Sequence, residues 1–106
     1  MKIEMLFWEG CQSHPEALEL LQDVLRERGI EEPIELREVF TLEDAVEHGF
    51  PGSPTIRIDG RDPFPSAPGD PRGLTCRVYR LRDGRVSPVP DPADLRETLR
   101  RLKEDR

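Results

Sequence analysis

The chain has 106 residues, 36% of them charged, with a formal net charge of -6 at pH 7. That length supports a single domain over residues 1–106 with one modest core and excludes a division into two. Acidic and basic residues are interspersed, so no block of Lys or Arg offers nucleic acid a cationic footprint, and no apolar run reaches membrane-spanning length.

Met1-Lys2 passes directly into a short apolar segment that contains Glu4, without the longer apolar core and small-residue cleavage site of a signal peptide. Cytoplasmic residence is the expectation. In that compartment Cys11 and Cys76 are expected as catalytic, metal-binding or buried residues and not as a permanent disulfide. Asn is absent and Arg far outnumbers Lys, a composition compatible with heat adaptation and equally with GC-rich coding.

Residues 2–8 are almost continuously apolar through Ile3, Met5, Leu6, Phe7 and Trp8, which predicts a central strand covered on both faces. Residues 14–28 carry Ala17, Leu18, Leu21, Val24 and Leu25 at helical spacing, with Gly29 available to close the helix. Ser13 and Glu16 form a capping-box pattern with Pro15 in the first turn, so the helix is expected to leave Cys11 two residues outside it.

Pro33 leads into a second strand with Ile34, Leu36, Val39 and Phe40, and the helical connection implies a parallel pair with a right-handed crossover. Thr41 with Asp44 predicts another capping box, opening a short helix through Ala45 and Val46 that closes at His48 and Gly49. Thr55 to Asp59 is the third strand, with Ile56 and Ile58 facing one way. The Pro and Gly density of residues 60–73 excludes regular structure, and a loop of that length in a compact domain is ordinarily functional or mobile.

A fourth strand is expected from about Leu74 to Arg82, with a hairpin turn at Asp83-Gly84 into Arg85-Val86. Asp91 as N-cap and Pro92 at the first helical position open a last helix whose buried stripe is Leu95, Leu99 and Leu102. The class is α/β in the order β-α-β-α-β-β-α, a parallel unit followed by an antiparallel one.

Three segments placed on that order carry a resemblance: Gly10-Cys11-Gln12-Ser13-His14 at the first strand-to-helix turn, Gly52-Ser53-Pro54-Thr55 before the third strand, and Gly73-Leu74-Thr75-Cys76-Arg77-Val78-Tyr79 on the fourth. Over nearly its full length the chain resembles the thioredoxin-like superfamily. It is similar in particular to small thioredoxin-family proteins with a single N-terminal C-x-x-H site, some of them labelled alkylmercury lyase. The resemblance implies a four-stranded mixed sheet flanked by helices and a cis Ser53-Pro54 bond packed beside an active thiol.

Cys11 is the candidate nucleophile, because the free N–H groups and dipole of a helix N-terminus favour a thiolate. Where the usual C-x-x-C site has its resolving thiol, this chain has His14, so a full cycle needs Cys76 or an outside thiol such as glutathione. As an imidazolium His14 would steady a Cys11 thiolate, and as a neutral ring it would move a proton; it also fits an ordinary first-turn position in solvent. Glu9 and Glu16 oppose a thiolate. Cys76 is the candidate resolving thiol, although a small buried residue beside Leu74 and Val78 is the default for it.

Ser53, Pro54, Thr55 and Trp8 are expected to shape the substrate groove, with Phe50 and Phe64 as further walls, although core packing is the default for Trp8. Cys11, His14 and Cys76 would together supply two thiolates and an imidazole, a partial set for Zn, Cu(I) or Hg(II), at a spacing that matches no strong zinc signature. Arg72, Arg77, Arg80, Arg82 and Arg85 cluster around strand four, either as an anion site or as protective charge on an exposed edge.

Three readings follow. In the first, the chain is an atypical thiol-disulfide oxidoreductase whose Cys11 attacks a protein or small-molecule disulfide, without a cofactor. In the second it is a thiol-based metal-binding protein, and in the third a thioredoxin-fold interaction module with no chemistry.

Overall fold

The computed structural model describes residues 2–64, 73–75 and 77–104; Cys76 and Arg72 lie outside them. The elements in chain order are β1 (Ile3–Phe7), α1 (His14–Glu27), β2 (Ile34–Glu38), α2 (Leu42–Glu47), β3 (Thr55–Ile58), β4 (Tyr79–Arg80), β5 (Val86–Ser87) and α3 (Pro92–Glu104). β1 is central, with β2 parallel on one side and β3 antiparallel on the other. The register sets Ile3 between Ile34 and Ile58, and Met5 between Leu36 and Ile56.

Cover on both faces accounts for the apolar run of β1. Ile3 and Met5 join Ala17, Leu21, Val24 and Leu25 of α1, Ile56 and Ile58 of β3, and Leu95 and Leu99 of α3 in one buried cluster. Leu6 joins Val39, Ala45 and Phe50 in a second, with Trp8 and Leu74 packed against it. Each fully buried leucine contributes about 2 kcal/mol relative to an exposed one. Glu4 interrupts the run and is itself buried, a cost met by an ion pair with Arg37 of β2 at 2.8 Å.

The helix ends follow local chemistry, with one exception. Thr41 is extended and its hydroxyl accepts from the Asp44 N–H at 3.1 Å, and Asp91 accepts from the Ala93 N–H at 2.9 Å, so α2 and α3 are capped as their sequences predict. Ser13 also occupies the N-cap position of α1, but its φ of -90° and ψ of -9° are helical and its side chain makes no cap bond. The capping box expected there does not form. Pro15 does sit in the first turn, and Gly29 follows the C-cap Arg28 at φ 66°.

Among the described residues the main sheet has three strands, not four. The strand expected over 74–82 contracts to Tyr79–Arg80, which pairs with β5 across the Asp83-Gly84 turn instead of with β3. The preceding residues are held elsewhere: the Ser53 N–H donates to Thr75 O and the Arg77 N–H donates to Ser53 O, each at 2.8 Å. This bracket docks the chain on the turn before β3 and not along β3 itself. None of the helices among the described residues is long and apolar enough to cross a membrane.

Candidate thiol site

Cys11 lies on the turn between β1 and α1. Its N–H donates to Trp8 O at 3.0 Å, which folds residues 8–11 into a tight reversal and leaves Cys11 two residues before the N-cap. The side chain turns inward and is 0% exposed. Its Sγ donates to Ser53 O at 3.3 Å, so β1 and the loop before β3 meet at the sulfur.

Ser53 is bonded on every side. Its hydroxyl accepts from the Trp8 N–H at 2.9 Å, its N–H reaches Thr75 O, and its carbonyl accepts from both Cys11 Sγ and the Arg77 N–H. The Ser53-Pro54 bond is cis, as the resemblance implies. Gly52 precedes it at φ +133°, where a Cβ would stand 2.9 Å from the Arg77 backbone, so the close crossing of the two segments requires glycine. The Thr55 hydroxyl donates to Gly52 O at 2.6 Å. Ser53, Pro54 and Thr55, expected to shape the substrate groove, are all fully buried.

A polar network that the sequence reading did not identify lies behind this loop. Arg77, expected on an exposed edge, is only 4% exposed and forms a 2.7 Å ion pair with Asp62. It also donates to Thr55 Oγ1 at 3.3 Å and to Phe64 O, and its guanidinium stands 4.4 Å from the centre of the Tyr79 ring. The Tyr79 hydroxyl donates to Pro54 O at 2.6 Å. Burial holds the Asp62 carboxyl above the usual carboxylate range despite the pull of Arg77, and burial raises the Tyr79 phenol well above ordinary tyrosine. The available signal was the alternation of Thr75, Arg77 and Tyr79, opposite in phase to the apolar positions. Val78, expected to face inward, is 65% exposed.

The remaining predicted residues take separate places. His14 stacks on Phe7 with ring centroids 4.7 Å apart, and its Nε2 is 3.5 Å from Glu9 Oε1. Among the described residues His14 thus meets Phe7 and Glu9, on the β1 side of the turn. Trp8 packs on the cluster around Phe50, and its indole lies over Gly10, whose added Cβ would meet a ring carbon at 2.3 Å. Phe50 is core and Phe64 packs edge-on against Tyr79, so neither walls a thiol groove. Arg82 pairs with Asp94 and Glu97, and Arg85 with Asp83, all at the surface.

Among the described residues no three His, Cys, Asp or Glu side chains converge as a metal site. Cavities of about 610 and 490 Å³ open between α1 and β2 and between the end of β3 and α3, and neither is lined by residues 8–14 or 53–55. No protein-family model, curated protein or solved structure matches the chain. The local chemistry is that of a fully buried sulfur held against a backbone carbonyl.

Proposed function

We infer that this is a thioredoxin-like thiol protein in which Cys11 exchanges with a disulfide of a protein or of a small thiol such as glutathione. The observation that carries the reading is the 3.3 Å contact between Cys11 Sγ and the carbonyl of Ser53, beside the cis proline. The order β-α-β-α-β and the strand-to-helix position of the thiol support it as well. In the exchange Cys11 attacks one sulfur of the disulfide, a new S–S bond forms, and the other sulfur leaves and takes up the proton that Cys11 gives up. A second thiol, Cys76 or one from outside, then attacks the mixed disulfide and releases Cys11. The resting contact with Ser53 O leaves the sulfur covered, so exchange proceeds from a locally opened turn.

Full burial of Cys11 favours a second reading, an interaction module in which the thiol only packs. The pH-controlled alkylation rate of Cys11, measured in the native state with labelled peptides identified by mass, separates the two. Under the redox reading Cys11 reacts faster than global unfolding permits, and Cys11→Ser abolishes mixed-disulfide formation with oxidised glutathione. An alkylation rate equal to that set by global unfolding leaves only the packing role.

A further inference from the structure

β2 is an edge strand, paired only with β1 among the described residues. The Val39 N–H donates to Phe7 O at 2.7 Å, which sets the phase of the ladder. Backbone groups of Glu35 and Arg37 turn toward β1, and those of Ile34, Leu36 and Glu38 turn outward. Edge strands are ordinarily blunted by charge that repels another strand. The charges of this strand do the opposite when a second copy is brought to it.

We propose that two copies of this chain associate through antiparallel pairing of β2 with β2, on a two-fold axis at Leu36. That register makes Leu36 a hydrogen-bonded pair with itself and sets Ile34 opposite Glu38, using the outward N–H and C=O groups of each. Glu35 then stands opposite Arg37 in the pairs without backbone bonds, where side chains come closest. Glu35 and Arg37 are each about half exposed and sit in a row with Lys2 and Glu4. Lys2 is 3.9 Å from Glu35 and Arg37 is 2.8 Å from Glu4, so pairing closes a row of alternating sign across the axis.

The other face of the strand carries Ile34 and Leu36, with Glu38 at its end. Leu36 is 53% exposed and, with Leu18, Leu25, Ile30 and Ile34, borders the cavity of about 610 Å³ between α1 and the sheet edge. Two-fold pairing brings the second Leu36 onto this groove and covers both. Shifting the register by one residue would turn Leu36 away from Leu36 and set the charges out of step. Only the register centred on Leu36 satisfies backbone and charge together and sets Leu36 against Leu36.

Sedimentation velocity of the full chain under reducing conditions, from micromolar to submillimolar concentration, tests this. The expected species has twice the 12.2 kDa chain mass. Leu36→Lys and Glu35→Arg, both at exposed positions, each weaken the dimer by about tenfold or more, with unchanged circular dichroism. Glu35→Arg and Arg37→Glu each set like charges opposite one another in their own dimers. Mixed in equal amounts they restore opposite charge in both pairs and form the heterodimer. A wild-type chain that remains monomeric, a dimer indifferent to Leu36→Lys and Glu35→Arg, or a mixture that fails to recover association with both variants folded overturns the proposal.

Discussion

The hydroxyl of Tyr79 and the carbonyl of Pro54 are joined by a 2.6 Å hydrogen bond, which ties β4 to the residue after Ser53. Both groups are buried, so the carbonyl has no water to turn to when the donor is lost. Tyr79→Phe should destabilise the fold by about 1–2 kcal/mol, read from the midpoint of urea denaturation. The same residue makes an alkaline prediction. Its phenol titrates above the ordinary tyrosine value of 10.0, because burial disfavours the charged form. Once pH passes the unfolded value the unfolded chain holds fewer protons than the folded one, so stability falls as pH rises toward the folded value. That decline should be steeper in the wild type than in Tyr79→Phe.

Asp62 is the anionic partner of a guanidinium that is 4% exposed. Removing one member of such a pair leaves the other charge buried and uncompensated. Asp62→Asn should cost about 3 kcal/mol. A double-mutant cycle with Arg77→Met should return a coupling of at least about 1 kcal/mol, and additive effects in chemical denaturation would show that the pair does not act as a unit.

Gly10 supports the indole of the chain's one tryptophan. Gly10→Ala puts a methyl group where the Trp8 ring lies, and the ring is the group that can move. The variant should stay folded while its fluorescence maximum shifts to the red. Gly84→Ala, whose Cβ would meet nothing within 4 Å but would be strained at φ +89°, is the comparison: it should lower stability and leave the emission unchanged.

Asp91 accepts from the Arg82 N–H at 2.9 Å and the Ala93 N–H at 2.9 Å, and these bonds hold its carboxyl below the usual carboxylate range. Asp91→Ala should cost about 1 kcal/mol at neutral pH. Because the folded value is the lower one, this stabilisation is present above the unfolded value of about 3.9 and is lost as pH falls through the folded value. The stability gap between wild type and variant, measured by denaturation at several acid pH values, should therefore close as Asp91 is protonated.

The elements built from local pattern were legible in the sequence. β1, α1, α2 and α3 stand close to where apolar spacing and capping residues put them, because each is specified within a few positions of itself. The capping box marks the boundary of that logic. Thr41 and Ser13 carry the same motif, yet only Thr41 is extended and capped. Ser13 follows the reversal closed by the Cys11 N–H on Trp8 O, which leads the chain into the helix with a helical N-cap. A one-line motif does not encode that preceding turn.

The approach to β4 was misread for a different reason. By hydrophobicity Val78 belongs inside and Arg77 outside, but Asp62, Thr55 and Phe64 O meet the Arg77 guanidinium and Pro54 O meets the Tyr79 hydroxyl. Those partners come from other segments, so the pattern of residues 74–82 alone could not reveal them. At the site, the contact between Cys11 and the Ser53 carbonyl matches the neighbourhood that the resemblance implied, whereas burial of Ser53, Pro54 and Thr55 does not follow from their sequence. The candidate role of Cys76 falls outside the described residues.

One oxygen, that of Ser53, accepts from the Cys11 sulfur and from the Arg77 amide at once. Events at the two donors are therefore thermodynamically linked, and the linkage is reciprocal. Whatever free energy the Arg77 bracket adds to the closed thiol, opening the thiol withdraws from the bracket. Substitutions at Asp62 or Tyr79, neither of which touches the sulfur, thus become tuning positions for how often Cys11 meets solvent.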